Sequence, residues 1–192
     1  MKIHYGGKYD KDESKLPHRE PEAGAVMFKE PEDTKTFSII ANIFALLVFV
    51  LLMIPFLIVS RDYVRVGSMG YVWGGLLSLV AIVPHELLHA ICFREDVYVY
   101  HNLKQAMCFV CGTESMSKAH FIFMSLLPNL VFGLIPFVIF LMHPYMIGVG
   151  FFGVACICCG CGDYINVFFA LTQMPKGAKT YLSGMHSYWY IP

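Results

Sequence analysis

Charge is scarce in this sequence, and most of it sits at one end. Asp, Glu, Lys and Arg make up 15% of the 192 residues, against 57% hydrophobic, and the mean hydropathy is +0.58. Soluble domains usually carry about a quarter charged residues, so this balance is that of a membrane protein. Net charge is also missing: fourteen basic and fourteen acidic residues cancel, which removes any global reason to expect a nucleic-acid partner. No long segment alternates apolar and polar residues at period two, which excludes a transmembrane barrel. No small-residue cleavage site follows the first apolar run, so that run is expected to persist as a span and not as a cleaved signal. Nor is there an internal repeat. Seven cysteines occur without a long extracytoplasmic segment to hold them, which is not the pattern of a disulfide framework.

What the sequence does have is four apolar runs, at about 37–59, 71–93, 119–142 and 145–172. Each is long enough to cross a hydrocarbon core as a helix, which takes about 20 residues. The expected fold is an all-α polytopic membrane protein with four transmembrane helices. A polar tail (1–36) would precede the membrane domain (37–172) and a second tail (173–192) would follow it. The first tail holds seven Lys/Arg and eight Asp/Glu, is interrupted by Pro17, Pro21 and Pro31, and reads as flexible or surface-lying. Placing both termini inside puts twelve Lys/Arg in the cytoplasm and leaves two, Arg61 and Arg65, outside. Between spans two and three, residues 97–100 and 106–110 are rich in β-branched and aromatic side chains around a polar turn at 102–105. They suggest a short β-hairpin.

The second span contains Pro84-His85-Glu86-Leu87-Leu88-His89-Ala90. Histidines at i and i+4 lie one above the other on a helix face, so both imidazoles can reach one metal ion. Zinc in hydrolytic sites takes two or three such nitrogens, a further protein ligand and a water. Glu86, adjacent to a ligand, can reach that water as general base. The bland alternative is a satisfied structural cluster, but ionisable groups are costly inside a span and need a partner. The other acidic residue well inside a span is Asp163, on span four. Spans two and four run in the same direction, and both place these residues in the inner half of the membrane. His85, His89 and Asp163 are therefore the candidate ligands of one zinc per chain.

Other candidates carry less. His120 begins span three at the interface, and His143 lies in the outer turn. Pro84 loosens the helix before the motif, either to admit water or as a plain kink. Asn129, after Pro128, reads as an inter-helix hydrogen bonder or a donor to a developing oxyanion; Asn166 reads as an inter-helix residue or a support for Asp163. Cys156, Cys158, Cys159 and Cys161 fit close helix packing better than metal relay, and Cys108 with Cys111 forms only a single pair.

On these residues the chain resembles the site-2 protease type of intramembrane metalloprotease. It is more similar still to small bacterial proteins catalogued as zincin peptidases of unknown function. The matching pattern is His85-Glu86-Leu87-Leu88-His89-Ala90, the middle stretch Leu127-Pro128-Asn129, and Gly162-Asp163, over about 71–172. The resemblance implies a three-helix core with span one added in front. It also implies His85, His89 and Asp163 as zinc ligands, Glu86 as base, and cleavage of a membrane-embedded or juxtamembrane segment at a bacterial plasma membrane. Two departures stand out: Tyr164 follows Asp163 where the site-2 proteases have Gly, and their Asn-Pro order is reversed. The expected activity is zinc-dependent intramembrane peptide hydrolysis, with a membrane protein or peptide as substrate and the lipid bilayer as surroundings. A metal-containing binding protein without activity and a small metal or proton transporter are the other readings. An extended substrate segment would find a pairing edge on the hairpin.

Overall fold

A computed structural model describes residues 1–31, 33–63, 68–102 and 107–192. In chain order the elements are β1 (Ile3–Lys8), β2 (Val26–Met27), α1 (Thr34–Ser60), α2 (Ser68–Val80), α3 (Ile82–Ala90), β3 (Val97–Asn102), β4 (Met107–Cys111) and β5 (Met116–Ser117). There follow α4 (Lys118–Pro128), a π-helical stretch (Asn129–Leu134), α5 (Ile135–Met142), α6 (Ile147–Cys159), α7 (Cys161–Gln173), β6 (Lys179–Ser183) and β7 (His186–Tyr190). The stretches Lys35–Ser60, Met69–Ala90 and Lys118–Met142 are long and apolar enough to cross a membrane. Ile147–Cys159 and Cys161–Gln173, bent by 49° at the break between them, make a fourth if the pair counts as one span. These stretches coincide with the four runs expected from hydropathy.

The chain divides into two compact units. One is helical and comprises Pro31–His85 and Leu126–Ile165. Its centre is a cluster of Phe56, Phe137, Phe140, Ile147 and Val154, with Phe56 stacked on Phe140 at 4.5 Å between ring centroids. Helices α2 and α6 approach backbone to backbone because glycines face each other. A Cβ on Gly74 would stand 2.6 Å from the carbonyl oxygen of Gly148. Small residues that admit such approach are the usual means of packing apolar helices where lipid and side chain are equally greasy. On α1, Ile39, Ile43, Leu46, Leu47, Val50 and Leu51 remain exposed.

The second unit comprises Met1–Glu30, Glu86–Ser125 and Asn166–Pro192, and it corrects the all-α expectation. It holds a three-stranded sheet in the order β1-β3-β4 and a four-stranded sheet in the order β2-β7-β6-β5. The expected hairpin exists: β3 and β4 are antiparallel, with Tyr100 opposite Phe109. Of its expected polar turn at 102–105, Asn102 ends β3, while 103–105 lie outside the described residues, as do Ala106 and Arg65. What the sequence did not suggest is that both polar tails supply strands. β1 pairs in parallel with β3, β2 pairs with β7, and β6 and β7 form a hairpin. Arg19 ties the N-terminal segment down through a hydrogen bond to Ser115 and a cation–π contact on Tyr181, and it pairs with Glu22 within the segment.

Two carboxylates act as internal clamps in this unit. Glu114 accepts the backbone N–H groups of Arg94 (2.5 Å) and Glu95 (3.0 Å), fixing the link between α3 and β3. Glu30 accepts from Ser187 N (3.2 Å) and faces His186 Nδ1 at 3.3 Å. Burial raises the Glu30 pKa, and the Ser187 and His186 bonds only partly oppose it. A carboxyl with a raised folded pKa contributes stability that is complete below its unfolded value and is lost as pH rises through the folded one. Glu30→Gln should therefore remove a component of stability loss between acidic and neutral pH. Thermal unfolding of the full chain in detergent across that range checks it; an unchanged pH slope would contradict the assignment.

Candidate metal centre

The apolar stretch Met69–Ala90 is interrupted where the sequence demands it. Pro84 has no N–H to give the carbonyl of Val80, and the helix breaks there between α2 and α3. Backbone hydrogen bonding resumes at once, with His85 N donating to the Ala81 carbonyl at 2.9 Å. The short helix α3 then carries His85, Glu86 and His89. Among the described residues, these three form the group of His, Cys, Asp or Glu side chains near enough to share one ion, with ligand atoms all within 4.8 Å of one another.

Each histidine has a defined neighbour. His85 Nε2 lies 3.2 Å from Asp163 Oδ2, and the two side chains are only 14% and 16% exposed. The pairing expected between spans two and four is thus made at His85. His89 is buried, and its Nδ1 lies 3.0 Å from the Met124 carbonyl oxygen. A carbonyl only accepts, so Nδ1 carries the proton and Nε2 keeps its lone pair. That is the tautomer a metal ligand needs. The end of α3 is held there by an apolar cluster of Ala90, Phe93, Val97 and Met116, against which Met124 packs.

Asp163 owes its place to the bend. Helix α6 stops at Cys159, and α7 restarts at Cys161, which puts Asp163 in the first turn of the new helix. Its N–H bonds the Gly160 carbonyl at 3.0 Å. Its Oδ2 also accepts from Asn129 Nδ2 at 2.8 Å. The support expected from Asn166 thus comes from Asn129, while Asn166 stands half-buried one turn further along α7. Asn129 fits because Gly160 has no side chain: a Cβ at 160 would fall 1.6 Å from Asn129 Oδ1. Tyr164, the departure from the site-2 pattern, stands edge-on to Phe44 of α1 at 6.4 Å between ring centroids. The bulky residue therefore packs on the helix that the resemblance lacks.

The remaining candidates lie elsewhere in the chain's chemistry. His120 donates its backbone N–H to Ser117 Oγ at 3.2 Å at the start of α4, and His143 is exposed beside Tyr145. All seven cysteines are free thiols. Cys111 is buried in the three-stranded sheet, where desolvation pushes its thiol up to about 12. Cys108, on the edge strand β4, is raised first by burial and then by the negative charge of Glu86.

The group His85, Glu86 and His89, with two imidazoles at i and i+4 and a carboxylate beside them, suits zinc. Calcium or magnesium would want oxygen ligands in place of the imidazoles. Gly160→Ala should disturb the centre without touching a candidate ligand, because its methyl group displaces the Asn129 carboxamide from Asp163. The expected result is a zinc content below wild type in chain that is still folded. Wild-type zinc in Gly160→Ala would mean that the Asn129–Asp163 bond does not matter to the metal.

Residues 78–179, just over half of the chain, match a family model described as "Putative zincin peptidase". The matched region contains α3, the π-helical stretch and the α6–α7 bend. No curated protein and no solved structure matches the chain.

Proposed function

The chain belongs to the zincin peptidase family, and on that premise we propose that it is an intramembrane zinc endopeptidase. The observation that carries this reading is the placement of a His-Glu-x-x-His helix and a half-buried aspartate in apolar, span-length helices, with His85 Nε2 at 3.2 Å from Asp163 Oδ2. Unpaired ionisable groups are expensive in such surroundings, and a cation shared by the three ligands offsets that cost. His85, His89 and Asp163 hold the zinc in this proposal. Zinc, when bound, lowers the pKa of a water to near 7 and polarises a carbonyl.

The chain's own groups do the rest. Glu86, beside His85 on α3, takes the proton from the attacking water and delivers it to the nitrogen of the departing amine. The peptide bond that is cut must be presented unwound, because a helical peptide is shielded by its own turn. Strand β4 is the edge of its sheet, and its Cys108 feels the charge of Glu86. An extended segment added along β4 would pair through its backbone within reach of the base. The substrate is accordingly a membrane-embedded or juxtamembrane peptide segment. Both termini are cytoplasmic in this reading, so accessibility reporters placed after Arg65 and after Lys104 should report opposite sides.

Two variants test the proposal. Glu86→Gln keeps shape and hydrogen bonding but cannot accept the proton, so cleavage of reconstituted single-span substrates should fall by at least about two orders of magnitude. Zinc content should hardly change. Equal cleavage by wild type and Glu86→Gln would remove this site as the source of activity. Zinc retained by both, with no cleavage by either, would favour a binding protein that keeps its metal. Asp163→Ala should lose most of the zinc, since two remaining ligands make a poor site. Full retention would move the third ligand elsewhere.

A further inference from the structure

We propose that Pro128 and Asn129, adjacent on one helix, are the positioning residues for His89 and Asp163. The inference rests on the reading of those two side chains as metal ligands. Each half of it follows from a different physical cause.

Pro128 acts by what it lacks. In an α-helix the carbonyl of residue i accepts from the N–H of residue i+4, so the Met124 carbonyl in α4 would accept from residue 128. Proline has no N–H. A carbonyl shielded from water and left without a donor is destabilising, so it takes another donor where one is near. His89 Nδ1, at 3.0 Å, is that donor. The missing proline N–H thereby selects the His89 tautomer and fixes its ring. A residue with an N–H at 128 would draw the Met124 carbonyl back into the helix and release His89.

Asn129 acts through the turn that proline opens. The six residues Asn129–Leu134 are π-helical, and Ile135 N bonds the Leu130 carbonyl, five residues back. Such wide turns are uncommon and cluster at functional sites. The first residue of this one is buried and donates to Asp163 Oδ2 at 2.8 Å. Gly160 provides the space for it. One dipeptide thus serves a ligand on α3 and a ligand on α7 by two separate hydrogen bonds.

A purely structural proline makes a different prediction. If Pro128 only shapes the helix, Pro128→Ala should change stability and leave the site alone. In our reading the two effects have opposite signs. Pro128→Ala should leave thermal stability unchanged or raise it, because a helix bond is restored, while zinc affinity falls about 10- to 100-fold, the usual effect of losing a ligand's hydrogen-bond partner. The measurement is chelator competition on the full chain in detergent. Nitrogen-15 chemical shifts of the His89 ring in zinc-free protein provide a readout that does not depend on metal. Wild type should show the proton on Nδ1, and Pro128→Ala should show a tautomer mixture. Asn129→Ala should weaken zinc over the same range, and Gly160→Ala combined with it should add little further loss, because both act on one bond.

Wild-type zinc affinity in Pro128→Ala, together with an unchanged His89 tautomer, would overturn the proline half. Additive losses in Gly160→Ala/Asn129→Ala would overturn the asparagine half. Failure of wild type itself to bind zinc would instead strike the metal reading, and the ring-nitrogen shifts would still decide whether Pro128 sets the tautomer.

Discussion

An aspartate in an apolar helix is costly unless the protein supplies it with partners. Much of the arrangement around Asp163 follows from that requirement. His85 Nε2 and Asn129 Nδ2 both reach the same oxygen, Oδ2, at 3.2 Å and 2.8 Å. To put the carboxylate there, the chain breaks a long apolar segment at Gly160 and restarts it as α7. To bring Asn129 within reach, it widens the helix after Pro128 and leaves position 160 without a side chain. The bend at Gly160 and the wide turn after Pro128 both lie beside the carboxylate of Asp163 and its partner Asn129.

The long apolar helices were legible because length and apolar composition are local properties, and the described helices fall where the apolar runs do. The motif was legible for a similar reason: His85 and His89 are brought together by one helix turn. Asp163 was found by elimination, being the other acidic residue deep in a span, and it does lie against His85. Its partner could not be read in the same way. Asn166 shares a helix with Asp163 and so was the local candidate, whereas Asn129 is 34 positions away, at the start of a π-helical stretch that periodicity does not reveal. The Met124 carbonyl is a backbone atom and carries no residue signature. Pro128 does, since a proline four residues on announces a carbonyl in need of a donor.

The two sheets were hidden for a different reason. Strand β1 pairs in parallel with β3, about 94 positions away, so nothing local in Ile3–Lys8 marks it as sheet. Charge and proline in the first 36 residues pointed to a tail without fixed structure, and that inference fails because Arg19, Glu30 and the aromatic side chains of β6 and β7 supply the partners. The C-terminal hairpin did have a signature: Tyr181, Tyr188, Trp189 and Tyr190 flank Ser183-Gly184, and Gly184 adopts a positive φ of 63°. Aromatic runs around a glycine turn are a hairpin pattern.

The mixture of helix and sheet bears on how a hydrolytic centre among apolar helices could handle a peptide. A zinc site needs fixed ligands, and helices supply them by holding side chains at set heights. A substrate backbone needs the opposite, an element that offers unpaired N–H and C=O groups in extended form, and a helix has none to spare outside its ends. In the proposed function strand β4, at the edge of its sheet beside β3, would meet that need. It follows α3 in the chain after a link clamped by Glu114, and its Cys108 registers the charge of Glu86. The clamp matters because a loose link would let the edge drift from the base. Glu114 is therefore as much a part of the proposed chemistry as the groups that would touch the substrate, although it stands outside the motif that first drew attention to the chain.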